Sequence, residues 1–149
     1  MSKADLAEKL FRDGCNCAQA VACAFADECG LDEKTLFKIS SSFGGGMGRL
    51  REVCGCVSGM FMVAGMVYAA DKPEKSAKDA QYAIVQELAN KFKAECGSII
   101  CRELLSLPPA VSESPVSEER TDKYYSKRPC VECVRIAALI LEEKLSEKH

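Results

Sequence analysis

FGGGMGRLREVCGCVSGMFMVAGMVYAA, residues Phe43–Ala70, contains a glycine-rich loop, a Cys-Gly-Cys and the most apolar segment of the chain, in that order. The loop glycines can adopt backbone angles closed to other residues, so the chain can turn sharply there. A helical pattern follows, with Cys54 and Cys56 in its opening turns. A helix start offers free N–H groups and the positive end of a dipole, which favour thiolates. We therefore predict a reactive or ligating cysteine site in front of a buried central helix.

The composition favours one folded domain and excludes several classes of function. The chain has 149 residues, 48% of them hydrophobic, which suits a single domain over residues 1–149. The net charge of −2 gives no basic footprint for nucleic acid. The apolar run 57–70 is too short for membrane insertion, and the charged N-terminus is not a signal peptide. We therefore expect a cytoplasmic protein.

The chain has ten cysteines and one histidine, and this imbalance bounds its chemistry. His149 is the last residue, where we expect it to be frayed. Catalytic units that need a histidine, His-rich zinc sites and His-ligated haem are therefore disfavoured. Ten cysteines in a cytoplasmic chain indicate metal-binding or redox thiols before structural disulfides. Cys23 and Cys29 are the two that fit best as small buried side chains.

The hydrophobic pattern predicts an all-α fold, a compact bundle of about six helices. The predicted helices are Lys3–Arg12, one from about Cys15 to Gly30, one capped by Asp32, the central helix to about Ala70, Ala77–Ala94 and one opened by Pro129. A short helix is expected after Ser98, and Pro73 is expected in the first turn of the helix that follows the central one. Leu107–Asp122, with Pro108, Pro109 and Pro115, is predicted as a surface loop.

Two side-chain predictions accompany these helices. We expect Leu36, Phe37 and Ile39 to face inward. Gly59 and Gly65 interrupt good helix formers in the central helix, and each costs about 1 kcal/mol relative to alanine. We therefore expect another backbone to pack closely at both glycines, either as a plain crossing of core helices or for a functional reason.

Eight of the cysteines form four doublets at or just before predicted helix starts. The doublets are Cys15/Cys17, Cys54/Cys56, Cys96/Cys101 and Cys130/Cys133. Because a helix N-terminus lowers the pKa of a thiol, this placement suits thiolates. If the four ends converge, they form a pocket suited to a metal ion, a cluster or disulfide exchange. The spacing is not that of a ferredoxin, and the glycine loop lacks the Lys-Ser/Thr of a P-loop.

Four segments also carry a family resemblance. They are Gly14-Cys15-Asn16-Cys17-Ala18-Gln19, the glycine loop with Cys54, Gly55 and Gly59, Gly97–Leu105 with Cys101, and Cys130 followed by Val134 and an alanine-rich helix. With these motifs the chain resembles the C-GCAxxG-C-C family of redox-active proteins, which is similar to the helical, dimeric split-Soret cytochromes. The family's alanine after Cys-Gly is Cys56 here. The haem-attachment motif is missing, so no haem is expected.

The resemblance implies redox activity through Cys17, Cys54, Cys101 and Cys130. The leading hypothesis makes these four both the redox residues and the ligands of one metal site. An iron–sulfur cluster or a zinc or iron ion would serve electron transfer with an unknown redox partner. The residues expected beside the cofactor are Gly44, Gly45, Gly46 and Cys56.

Two alternatives stay open. The first is a metal-free thiol–disulfide oxidoreductase that uses Cys130/Cys133, or Cys54 with Cys17, as nucleophile and resolving pair. The second is a non-catalytic metal-binding or interaction protein, in which the central helix packs across the axis of a homodimer.

Overall fold

The computed structural model describes residues 1–108 and 113–147, and this part of the chain is all-α. Nine α-helices form it, six of them with seven or more residues. They are α1 (Lys3–Arg12), α2 (Cys17–Ala24), α3 (Ala26–Cys29), α4 (Glu33–Ser40), α5 (Gly55–Tyr68), α6 (Lys75–Cys96), α7 (Cys101–Leu104), α8 (Asp122–Lys127) and α9 (Cys130–Ser146). The predictions for Pro109 and His149 lie outside the described residues.

Side-chain caps fix where the first helices begin. The Ser2 hydroxyl accepts from the N–H of Asp5 at the start of α1. Asn16 and Gln19 form a capping box at the start of α2, which places Cys17 as its first residue. The predicted cap of α4 is confirmed, since the Asp32 carboxylate accepts from the N–H of Thr35.

The prediction of one helix from Cys15 to Gly30 is wrong, because this segment forms two helices, α2 and α3. It breaks at the buried Phe25, whose φ of −111° and ψ of 25° are not helical. The Phe25 N–H donates to the carbonyl of Ala22, three residues back, at 3.0 Å, so the chain tightens there and turns into α3. Gly30 then ends α3 in the left-handed conformation, as a C-terminal glycine does.

The central helix α5 lies in the middle of the core. It packs against α2, α6 and α9, while α1 covers the other side of α2 and α9. Val57, Met60, Val63 and Ala64 of α5 are completely buried. Most of the buried hydrophobic residues of the described chain form one cluster around this helix.

The close approach expected at the two central glycines occurs at one of them. A Cβ on Gly59 would lie 3.0 Å from the carbonyl oxygen of Ala18 and 3.0 Å from the Cβ of Val21, both in α2. The prediction for Gly65 is wrong, because a Cβ there would meet nothing within 4 Å. Gly55, one turn before Gly59, also faces α2, and its Cβ would lie 3.0 Å from the N–H nitrogen of Ala18. Gly55 and Gly59 together let α2 lie almost against the backbone of α5.

Other differences from the predictions concern the ends and the outer faces of helices. Phe37 and Ile39 are 44% and 49% exposed, so of the three residues predicted to face inward only Leu36 does so. Pro73 precedes α6, which begins at Lys75 and extends to Cys96. The helix α8 was not predicted, and Thr121 caps it by accepting from the N–H of Tyr124. In the described residues the only strand-like pairing is an isolated bridge between Val53 and Ile100. No described helix is long and apolar enough to cross a membrane.

Candidate functional site

The beginnings of α2, α5, α7 and α9 surround one cavity of about 390 Å³. All four cysteines of the leading hypothesis line it, and two further cysteines do so as well. The six are Cys17, Cys54, Cys56, Cys101, Cys130 and Cys133. The structure therefore brings together thiols from four distant segments, whereas Cys15, Cys23, Cys29 and Cys96 are not among the residues that line the cavity.

Each of the four hypothesis cysteines lies at a helix start. Cys17, Cys101 and Cys130 are the first residues of their helices, and Cys54 precedes the first residue of α5. The starts of α5 and α7 are held together by backbone pairing. The N–H of Cys54 donates to Ile99 at 2.8 Å, and the N–H of Cys101 donates to the carbonyl of Glu52 at 2.6 Å.

The glycine loop forms one wall of the cavity. Gly44, Gly45, Gly46 and Gly48 all line it. Gly46 is indispensable sterically, because a Cβ there would lie 2.6 Å from the Cβ of Cys101 and 2.8 Å from the Cα of Arg51. The loop has left-handed backbone at successive residues, including the non-glycine residues Met47 (φ 70°), Arg49 (φ 69°) and Arg51 (φ 61°). Such strain is commonly concentrated at functional sites.

Cys17 is a cavity thiol whose neighbours favour its thiolate form. Hydrogen bonds from the Cys130 thiol and then from the Cys56 thiol hold the pKa of Cys17 well below its ordinary value, and the charge of Arg120 acts in the same direction. The same contacts raise the pKa values of Cys130 and Cys56, with burial as a further cause, so these two thiols stay protonated as donors. The arrangement resembles a nucleophilic thiolate with resolving thiols beside it.

The remaining thiols differ in their surroundings. Burial raises the pKa of Cys101, while the Arg51 guanidinium, whose Nη1 lies 3.6 Å from the Cys101 sulfur, opposes that shift. Outside the cavity, burial raises the pKa of Cys15 and Cys29 and raises that of Cys23 to about 11. Buried thiols with raised pKa values, such as these three, are poor nucleophiles at neutral pH.

Four arginines surround the thiols: Arg49, Arg51, Arg120 and Arg128 all line the cavity. Arg51 is only 3% exposed, and its Nε donates to the Glu113 carboxylate. Its Nη2 is buried, with no hydrogen-bond partner among the described residues. Arg120 donates to the carbonyls of Phe11 at 2.9 Å and of Cys15 at 3.0 Å.

The side chains around the cavity carry an excess of positive charge. The carboxylates of Glu113 and Glu118 pair with Arg49, Arg51 and Arg128, so four guanidinium groups face two carboxylates. None of these four arginines was among the residues predicted from the sequence to form the site. Nothing in the local sequence places Arg120 beneath the cysteines, because its partners lie more than a hundred residues away.

The donor set can be compared with what a metal needs. Across residues 1–108 and 113–147, no three Cys, His, Asp or Glu side chains are grouped so as to hold a single metal ion. An iron–sulfur cluster distributes its thiolate ligands over several irons. Six thiols and four guanidinium groups line the one cavity. Cys56 and the predicted glycines also line this cavity.

Comparison with known proteins gives one family match. The sequence model of the family C_GCAxxG_C_C, described as "Putative redox-active protein", matches residues 15–144. That span contains Cys17, Cys54, Cys101 and Cys130, and Gly14 is the one residue of the four segments that lies outside it. No curated protein and no solved structure matched the chain.

Proposed function

The chain belongs to the C_GCAxxG_C_C family, and on that premise we propose that it is a redox protein whose centre is the cavity lined by Cys17, Cys54, Cys101 and Cys130. The observation that carries this proposal is the convergence of these four cysteines. They come from segments far apart in sequence, each lies at a helix start, and all line one cavity.

The function we favour is electron transfer through an iron–sulfur cluster held by these four thiolates. When bound, such a cluster supplies reversible one-electron transfer, at a potential set by charge, by hydrogen bonds to sulfur and by solvent exposure. The protein's own residues contribute to each of these. Arg51 places Nη1 at the Cys101 sulfur, and the four guanidinium groups favour a negatively charged occupant. Cys56 and Cys133 are spare thiols in the same wall.

A metal-free thiol–disulfide oxidoreductase is the second candidate, and the contact between Cys17 and Cys130 favours it. The Cys17 thiolate would attack a substrate disulfide, and one substrate sulfur would leave as a thiol. Cys130 would then lose its proton and attack the Cys17 sulfur, which releases the second substrate thiol and closes a Cys17–Cys130 disulfide. The pairs expected from the sequence, Cys54 with Cys17 and Cys130 with Cys133, line the same cavity and remain alternatives to this pair.

The deciding experiment is anaerobic purification followed by measurement of iron, zinc, acid-labile sulfide and free thiols on one sample. Iron with sulfide, lost when Cys17, Cys54, Cys101 or Cys130 is changed singly to Ser, supports the cluster. Cys29→Ser is the matched control, because Cys29 is buried outside the cavity. Zinc alone favours the non-catalytic metal-binding alternative. Metal-free protein with a fast-reacting Cys17 supports the oxidoreductase.

The cytoplasmic location and the homodimer remain predictions of the sequence. A monomer in sedimentation equilibrium at micromolar concentration would contradict the homodimer.

A further inference from the structure

We propose that the cavity binds one small tetrahedral oxyanion, such as phosphate, between Arg49 and Arg51 and beside the Cys101 thiol. The site lies in the same cavity as the proposed redox centre. It does not rest on that function, because its donors are guanidinium groups and not thiols.

Arg51 carries a buried charge with one donor left over. The residue is 3% exposed and lines the cavity. Its Nε donates to the Glu113 carboxylate, and its Nη1 donates to the Cys101 sulfur at 3.6 Å. Its Nη2 is buried without a hydrogen-bond partner in residues 1–108 and 113–147. A buried charged donor without an acceptor costs free energy, so an acceptor at this nitrogen would stabilise the folded chain.

Arg49 brings a second guanidinium group to the same place. Its Nη2 and the Nε of Arg51 both approach Oε2 of Glu113, so the two guanidinium groups are neighbours. Nη2 and Nη1 of Arg49 lie 3.8 Å from the Glu113 carboxylate and 3.9 Å from the Glu118 carboxylate, beyond hydrogen-bond distance. A Cβ on Gly45 would lie 2.9 Å from Cγ of Arg49 and 3.9 Å from Nη1 of Arg51. The glycine loop therefore leaves room for both side chains.

The engaged nitrogens of Arg51 select the class of anion. A planar carboxylate pairs best with two nitrogens on one edge of a guanidinium group. One edge of Arg51 has its Nε on Glu113 and the other has its Nη1 on Cys101, so neither edge offers two free nitrogens. A tetrahedral anion directs its oxygens in several directions and can accept single hydrogen bonds from two arginines. We therefore expect phosphate to bind more tightly than a carboxylate.

Arg120 and Arg128 contribute charge to the site. Arg120 donates to two backbone carbonyls and Arg128 donates to Glu118, yet both line the cavity. The four arginines outnumber the two carboxylates that pair with them, even when Cys17 is a thiolate. This excess favours an anion. The volume of about 390 Å³ lies within the range of about 300–1,000 Å³ that small-molecule sites occupy.

Isothermal titration calorimetry of the full-length protein with inorganic phosphate, at fixed ionic strength, tests the site. We expect one phosphate per chain and weaker binding of acetate. Arg51→Gln and Arg49→Gln should each weaken phosphate binding about tenfold or more, because a hydrogen bond to a charged group is lost. Arg135→Gln is the matched control and should bind as the unmodified chain does, because Arg135 pairs with Asp5 and Glu8 and is not among the lining residues.

A phosphate monoester identifies the source of the anion. Glycerol phosphate that displaces inorganic phosphate would assign the site to the terminal phosphoryl group of a larger molecule. Glycerol phosphate that fails to displace it would assign the site to the free anion. Both results support an oxyanion site at the two arginines.

Three results would overturn the proposal. They are no binding of phosphate at millimolar concentration, equal affinity for phosphate and acetate, and equal phosphate affinity in the Arg49, Arg51 and Arg135 variants. The first two are read on the unmodified chain, so they do not depend on a variant that folds. Iron and sulfide are measured on the same sample. A protein that binds phosphate and holds no cluster would therefore contradict the cluster and leave the oxyanion site intact.

Discussion

A matched pair of substitutions on α5 tests how the cysteine cavity is assembled. Gly59→Ala places a methyl group 3.0 Å from the Ala18 carbonyl oxygen and 3.0 Å from the Val21 Cβ, so α2 has to shift. Gly65→Ala places the same methyl group in open space. Both changes gain about 0.5–1 kcal/mol of intrinsic helix stability.

The difference between the two variants isolates the contact between α2 and α5. Overpacking a tight contact costs about 1–3 kcal/mol, so Gly59→Ala is expected to lower the free energy of unfolding despite its helix gain. Gly65→Ala is expected to raise it by about 0.5–1 kcal/mol. We therefore expect the variants to differ by about 1–3 kcal/mol, with opposite signs relative to the unmodified protein.

Urea denaturation followed by circular dichroism measures both values under reducing conditions. Because Cys17 opens α2, the shift should also disturb its hydrogen bonds, and the rate of Cys17 alkylation should change in Gly59→Ala alone. Equal stabilities for the two variants would refute the reasoning, since the only structural difference between them is the neighbouring helix.

Three further predictions concern the thiols and charges of the cavity. Cys130→Ala should raise the pKa of Cys17 and slow its alkylation at neutral pH. Cys130→Ser keeps a hydrogen-bond donor and should preserve most of the alkylation rate. Equal rates in the two variants would exclude the hydrogen bond from residue 130 to Cys17. Arg51→Gln should reduce the free energy of unfolding by about 1–2 kcal/mol, because it removes the charged hydrogen-bond donor of Glu113 and leaves, among the described residues, only the 3.8 Å ion pair with Arg49. Arg135→Gln, which removes the ion pairs with Asp5 and Glu8 at the surface, should cost less. Arg51 lowers the pKa of Glu113 from an ordinary 4.5, so this stabilisation is present above about pH 4.5 and lost as the pH falls through the folded pKa. The stability difference between the wild type and Arg51→Gln should therefore shrink in acid, and a constant difference would assign the loss to packing.

The fold was largely predictable because its signals are local. Helix periodicity, the Asp32 cap and the terminating Gly30 each depend on a few neighbouring residues, and all are found in the structure. Local signals do not say which side of a helix is covered. Phe37 and Ile39 keep an apolar pattern, yet the buried residues of α4 are Leu36 and the polar Ser40.

The candidate site was predictable as a set of cysteines and not as a geometry. Of the eight cysteines placed near predicted helix starts, six line the cavity, and Cys15 and Cys96 are not among its lining residues. The sulfur contacts, however, join different doublets, as with Cys17 and Cys130. Such pairs depend on how α2, α5 and α9 cross, which is set by contacts such as that of Gly59 with Ala18. No spacing along the chain carries that information.

The left-handed loop also limits which residues a related sequence can tolerate there. A non-glycine residue in this conformation costs about 1–2 kcal/mol, so a change to glycine relieves the backbone at each of the three positions. The Met47 side chain carries no charge. Glycine at position 47 is therefore expected to leave the stability of the fold unchanged or to raise it. At Arg49 and Arg51 the same change removes contacts to Ser114 and Glu113. Functional relatives should therefore vary more at position 47 than at positions 49 and 51. In a library selected for folding, glycine should be accepted at position 47 and selected against at positions 49 and 51.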